Sequence, residues 1–285
     1  MRIDCHIHSN TADLGCGGIV SNLKKGGFDG GIIFSQNPSG REGSPAPEER
    51  MDAVLKICEN QKYLFPFYWV NPIEEDAKKQ IELAGKKGIM GYKIICFSHF
   101  PCDERAIPVY REIAKQNKPL MFHSGILYDG RNASGNFNRP CNFEGLLSID
   151  SLRFSLAHVS WPWTDECTAL YGKFNNALSH SKEESPSGEM FIDLTPGTPN
   201  PYRRPMYEKL FFSGYDIKKN LLYGIDNSAG DYNHSYSNSI IGLDESIFDE
   251  FEKNGGMFGI KQDDDFRDYM YYKNALRFIG LPENY

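Results

Sequence analysis

Eight short apolar runs recur along the chain, and each is followed by a longer amphipathic or polar stretch. The runs are Arg2–His8, Gly31–Ser35, Leu64–Val70, Ile89–Ile95, Pro119–His123, Arg153–His158, Glu189–Leu194 and Leu221–Asp226. Runs of four to eight apolar residues fit fully buried strands. The stretches between them read as helices: Pro47–Asn60, with Met51, Val54, Leu55 and Cys58 on one face, then Ile73–Ala84, Glu104–Gln116, Trp163–Asn176, Tyr202–Ser213 and Leu243–Lys253. A weaker helical signal covers Val20–Lys25, and 263–280 reads as an additional C-terminal helix on the outside. Strands separated by helices imply βαβ units and a parallel sheet. Eight such units predict an α/β protein, a slightly distorted (β/α)8 TIM barrel with an extra C-terminal helix. The 285 residues suit one barrel of about 250 residues without a second domain.

The two ends of the strands are connected differently. Segments entering strands are short and basic or glycine-rich, such as Lys24-Lys25-Gly26-Gly27 and Gly85-Lys86-Lys87-Gly88. Segments leaving strands are longer and rich in Gly, Pro and Asn, as in Gln36–Pro47, Ser124–Cys141, Thr195–Pro201 and Asn227–Gly242. In a parallel barrel the loops after the strands form the functional face.

Composition excludes several function classes. A net charge of −7 with scattered basic residues provides no basic face for nucleic acid. No apolar run is long enough to span a bilayer. The N-terminus enters a strand at once and has no signal-peptide core. Seven irregularly spaced cysteines without a CxxC pair read as reduced, mostly buried thiols, and the expected location is the cytoplasm.

Asp4-Cys5-His6-Ile7-His8 is the most informative pentapeptide. Strict strand alternation places Asp4, His6 and His8 on one face and turns Cys5 and Ile7 toward the helices. Two imidazoles two residues apart can meet one cation, although such a pair by itself is a weak signal. The other strand ends add partners: His123 after Leu120-Met121-Phe122, His158 after Ser155-Leu156-Ala157, and Asp226 after Tyr223-Gly224-Ile225. Taken singly, His123 reads as a core histidine, His158 as a backbone-bonded one and Asp226 as a turn residue. Their convergence on one barrel mouth argues instead for a metal site. Three histidines and a carboxylate are a plausible zinc shell that leaves a position open for water. Such an ion lowers the pKa of bound water to about 7, and a carboxylate can take the proton released.

These motifs, in order and spacing over nearly the whole chain, resemble the amidohydrolase superfamily, in its amidohydrolase-related branch of decarboxylases, hydratases and lactone hydrolases. The resemblance rests on Asp4–His8, Gly91–Ile95, Ala106–Tyr110, Lys118–Gly125, Phe137–Pro140, Leu156–Trp163 and Tyr223–Asp226. It implies a single amidohydrolase-like barrel over residues 1–285. His6, His8, His123 and Asp226 would bind one divalent cation, zinc being the first choice, with Mn2+ or another ion as alternatives. His158 and Asp226 would be catalytic, the first beside the water or substrate and the second shuttling the proton. Asn227-Ser228 departs from the aromatic or Trp and Pro that usually follow the eighth-strand Asp, which leaves substrate contacts at that loop open. Lys93 either joins a second metal as a carboxylated lysine, holds a substrate carboxylate, or pairs with a neighbouring acid; a single metal is the preferred reading.

Arginines 41, 131, 139, 203 and 204 lie on loops leaving strands. A guanidinium there suits a carboxylate, and Arg139 is the chosen anchor. The others, like the loop histidines His99 and His234, read as exposed. Trp161, Trp163, Tyr128 and Phe97 are candidate walls for a ring-shaped substrate, with Trp161 or Trp163 facing the pocket. The expected substrate-binding set is therefore Lys93, Arg139 and Trp161. The leading function is metal-dependent hydrolysis of an amide, lactone or ester-like bond in a small, carboxylate-bearing substrate. The alternative is a non-oxidative decarboxylase or hydratase using the same ligands, and a barrel that only binds a ligand is a third. The partner is a small molecule, not nucleic acid or membrane, and a homodimer is open by analogy.

Overall fold

The computed structural model describes residues 1–9, 16–38, 45–212, 214–254 and 265–285. The strands are β1 (Ile3–His8), β2 (Gly30–Phe34), β3 (Leu64–Trp69), β4 (Gly91–Ile94), β5 (Leu120–Phe122), β6 (Arg153–Leu156), β7 (Glu189–Asp193), β8 (Leu221–Leu222) and β9 (Asn227–Ser228). All neighbouring pairs are parallel, in the order β8-β7-β6-β5-β4-β3-β2-β1-β9. The helices packed around them are α1 (Cys16–Lys25), α2 (Pro47–Cys58), α3 (Ala77–Lys87), α4 (Ile107–Lys115), α5 (Thr164–Ser179), α6 (Asn200–Phe212) and α7 (His234–Lys253). Two 3-10 segments, Ser134–Asn138 and Pro140–Ser148, occupy the connection between β5 and β6. Helix α7 begins nine residues before the predicted Leu243 because Asn233 caps it, its side chain accepting the Tyr236 N–H. The polar run that follows reads as loop in the sequence, but burial of Ser237, Ile240 and Ile241 holds it helical.

The sheet closes on itself. Leu221 and Leu222 pair with β7, whereas Asn227 and Ser228 pair with β1. Between them the Tyr223 carbonyl accepts the Cys5 N–H at 2.9 Å. β8 and β9 are thus two halves of the eighth strand position, and the protein is the expected (β/α)8 TIM barrel. The break between the halves has a chemical cause. The Asp4 carboxylate enters the ladder and accepts the N–H groups of His6 (3.1 Å) and Ile225 (3.0 Å), while its other oxygen takes the Tyr232 hydroxyl at 2.7 Å. Gly224 admits that carboxylate, since a Cβ there would meet Asp4 Oδ1 at 2.7 Å.

This arrangement corrects the alternation read along the first strand. Against β2, Asp4 pairs with Gly31 and Ile7 with Ile33, so β1 advances three residues while β2 advances two. One extra residue re-aims the side chains on either side of it. Asp4 turns away from His6 and His8 toward Tyr232. Cys5 turns inward and packs with Ile3, Ile32 and Phe34 in the barrel interior rather than against the helices. Ile7 does face the helical layer, within the large cluster that includes Ile19, Leu23 and Ile33.

The C-terminal helical segment, α8 (266–279), also departs from expectation. It includes a π-helical stretch, Tyr269–Lys273, and does not lie on the outside. Ala275, Leu276, Phe278 and Ile279 join the interior cluster, with the Phe278 ring 5.0 Å from Phe191 and 6.3 Å from Phe67. Its partners at the strand starts, Arg153 donating to the Phe278 carbonyl at 2.6 Å and Arg277 pairing with Glu189, fix it as the floor of the barrel. The opposite, C-terminal end of the strands is left for the site.

Candidate metal centre and active site

The candidate side chains gather at the C-terminal ends of the strands. His6 and His8 come from β1 beyond the bulge, Lys93 from β4, His123 from the residue after β5 and Asp226 from the break between β8 and β9. His158 stands in a turn rather than on β6: His158, Val159 and Ser160 have φ of 60°, 47° and 54°, and Asp226 has φ of 61°. Left-handed backbone at non-glycine residues costs of order 1–3 kcal/mol each, and such residues cluster at functional sites. The turn is enforced by its surroundings. The Ser160 hydroxyl bonds Ser124 Oγ at 2.8 Å, and Gly197 packs so closely that a Cβ there would lie 2.6 Å from His158 Cβ.

Asp226 is the hub. Its Oδ1 is 3.3 Å from His8 Nε2 and 3.6 Å from His6 Nε2, and its Oδ2 is 4.0 Å from His158 Nε2. Ligand atoms of His6, His8 and Asp226 all lie within 4.8 Å of one another. His123 stands outside this tight group, with its ring 5.0 Å from that of His158. The group lines a cavity of 480 Å3 whose walls include Trp69, Phe97, Tyr128 and Trp161.

Burial and neighbouring charge set the protonation states. Burial holds His6 and His123 well below the usual histidine range and His158 down at about 4, so the three imidazoles are neutral at pH 7. Burial pushes the Asp226 carboxyl up and its contacts with His6, His8 and His158 pull it down, and the net direction is well below its ordinary value. Lys93 lies 3.3 Å from His6 Nε2, and burial lowers its pKa to about 8, with Asp193 and Asp226 opposing.

The residues present fit a divalent cation. Neutral imidazoles and an ionised carboxylate from different strand ends converge, which is the nitrogen and oxygen donor set that zinc takes. His123 Nε2 is buried beside them without a hydrogen-bond partner, a costly state for a polar atom unless something else binds it.

Other sequence-derived candidates fall elsewhere. Arg139, the expected substrate anchor, is a correction: its guanidinium is clamped on Glu166 and lies over the Trp163 ring, outside the cavity. Trp163 itself precedes α5, whereas Trp161 lines the cavity. Arg203, read as an exposed loop arginine, is fully buried and paired with Asp244. Arg204 bridges to Glu208 and Glu250, Arg131 is exposed, and Arg41 lies outside the described residues. His99, read as exposed, is buried, and His234 is half-buried with its Nε2 3.2 Å from Asn22 Oδ1.

Sequence reasoning missed Asp193 and Thr195. Asp193 ends β7 and places its Oδ2 2.7 Å from His6 Nδ1, while Thr195 Oγ1 is 3.0 Å from His158 Nδ1. The signal was available: Asp193 closes the apolar run Met190-Phe191-Ile192 as Asp226 closes its own strand.

No protein-family model and no curated protein matches the sequence. Solved structures do. An uncharacterized TIM-barrel protein from Bordetella bronchiseptica is 13% identical over 98% of both chains, with a TM-score of 0.66. An amidohydrolase from Burkholderia multivorans, solved with bound HEPES, is 10% identical over 99% of this chain and 100% of that one, with a TM-score of 0.65. A putative amidohydrolase from Staphylococcus aureus is 12% identical over 98% and 99%, with a TM-score of 0.59. At these identities the likeness establishes the fold alone, a TIM barrel like that of the Bordetella protein.

Proposed function

We propose that the protein is a metal-dependent hydrolase that cleaves an amide, lactone or ester-like bond in a small substrate, with one zinc ion held by His6, His8, His123 and Asp226. The observation that carries the reading is the Asp226 carboxylate set among His6, His8 and His158 at the end of a 480 Å3 cavity. That position, at the C-terminal ends of the strands, is where TIM-barrel enzymes keep their active sites. The structural neighbours named as amidohydrolases support the same reaction class.

When bound, a divalent cation supplies Lewis acidity, acidifying water and polarising a carbonyl. The chain's own groups do the rest. Asp226, ionised at neutral pH, accepts the proton of the attacking water and returns it to the leaving group. His158, neutral and 4.0 Å from Asp226 Oδ2, orients the water or the scissile carbonyl. Lys93 is the cationic side chain lining the cavity among the described residues; it meets negative charge on the substrate, whether a carboxylate or the oxygen of the opening bond. Trp69, Phe97 and Trp161 shape an apolar wall that excludes water from that charge.

The test is elemental analysis of the purified protein together with a screen of amides and lactones. Bound metal and ring opening or amide cleavage are expected, both sensitive to Asp226→Asn. Release of carbon dioxide from carboxylate substrates would transfer the site to decarboxylation. A metal-free wild type, or an Asp226→Asn protein of full activity, would overturn the proposal.

A further inference from the structure

The seventh strand position holds two polar side chains that the reaction above does not use. Asp193 and His6 are both buried, with Oδ2 2.7 Å from Nδ1. The other Asp193 oxygen, Oδ1, accepts the Thr195 backbone N–H at 2.7 Å. The Thr195 hydroxyl lies 3.0 Å from His158 Nδ1. One carboxylate and one hydroxyl, two residues apart, therefore touch the inner nitrogens of two different imidazoles.

We infer that Asp193 is a positioning residue that fixes the ring tautomer of His6, leaving its Nε2 unprotonated and aimed at the site. The inference rests on the metal-centre reading for its purpose, but its content is a proton location. A carboxylate can only accept, so His6 Nδ1 carries the hydrogen. The other nitrogen gives the same answer independently. Lys93 Nζ lies 3.3 Å from His6 Nε2, and an ammonium can only donate, so Nε2 presents a lone pair. A bare imidazole nitrogen then faces the Asp226 carboxylate at 3.6 Å. A lone pair turned toward an anion is unfavourable unless a cation lies between them, so this tautomer prepares the site for a metal. Hydrogen-bonding the far nitrogen of a metal-binding histidine is a general means of holding it ready.

Asp193→Asn tests the idea because asparagine cannot accept on both sides. The Thr195 N–H is fixed by the backbone and claims the amide oxygen, so the amide NH2 must face His6 Nδ1. His6 then carries its proton on Nε2. The measurement is long-range 1H–15N correlation of the histidine rings in metal-free protein, with chelator competition for Zn2+ in parallel. Wild type is expected to show Nδ1–H for His6. Asp193→Asn is expected to shift His6 to Nε2–H and to weaken Zn2+ binding by about 10–100-fold. Thr195→Val, which leaves the Asp193 carboxylate in place, is expected to leave the His6 tautomer unchanged. A wild-type His6 protonated on Nε2 would overturn the inference without any variant. So would an Asp193→Asn protein with the wild-type tautomer and unchanged affinity. If the tautomers behave as expected but wild type binds no Zn2+, the positioning role stands and the metal reading falls.

Discussion

Asp226 Oδ1 lies 3.3 Å from His8 Nε2, so the last strand position of the barrel delivers its carboxylate onto an imidazole of the first. The contact exists only because the barrel closes there, with β9 paired to β1 through His8 and Ser228. Asp226→Asn keeps the shape and removes the base. We expect kcat/KM to fall by about 10²–10⁴-fold with an unchanged far-ultraviolet spectrum. An active, equally folded variant would remove Asp226 from the chemistry.

The alkaline limb of the pH profile should report Lys93. Burial lowers its pKa to about 8, so it is cationic below that pH and neutral above. If it meets negative charge on the substrate, kcat/KM falls as pH rises through about 8. Lys93→Met should lose that limb along with most of the activity, and a limb that persists in the variant would belong to another group.

Gly197 is the tightest neighbour of His158, and an added Cβ would sit 2.6 Å from His158 Cβ and Cγ. Gly197→Ala must push the ring or the loop. A displacement approaching 1 Å in a reacting group costs about 10²-fold in rate. The expected result is that loss in kcat with little change in bound metal, read by kinetics and elemental analysis together.

The buried pair Arg203–Asp244 is structural. Both side chains are inaccessible, and Asp244 also accepts the Tyr223 hydroxyl at 2.8 Å. Asp244→Ala strands a buried guanidinium and should cost about 3–5 kcal/mol in urea unfolding. Arg139→Ala, by contrast, breaks an exposed pair with Glu166. It should cost about 0–1 kcal/mol and leave KM unchanged, since Arg139 lies outside the cavity.

Phe278 tests the floor of the barrel. It packs on Phe191 and Phe67 from the C-terminal helix. Phe278→Ala should destabilise by about 3–5 kcal/mol without altering metal content. A helix lying on the outer surface would tolerate the same change.

The barrel was legible in the sequence because burial on both faces makes a parallel strand continuously apolar, and the eight runs were visible as such. The residues that interrupt those runs at their ends, His123, His158 and Asp226, were legible for the same reason: a polar group closing an apolar strand has to face something. Asp193 obeys that rule too, but no motif surrounds it in the sequence. Arg139 was misplaced because a loop arginine shows its charge but not its partner, and Glu166 lies on the next helix.

The sequence by itself determined the strand and helix alternation, the end of the barrel that carries the loops, and most of the side chains that meet there. These are local properties, fixed by apolar periodicity and by residue type. Only the tertiary structure decided the bulge that turns Asp4 out and Cys5 in, the Asp193 and Thr195 contacts behind His6 and His158, and the C-terminal helix as barrel floor. Each of these depends on register or on hydrogen bonds between residues far apart in the chain. A one-residue shift in pairing reverses which face a side chain takes, and no run of residues read alone records the pairing.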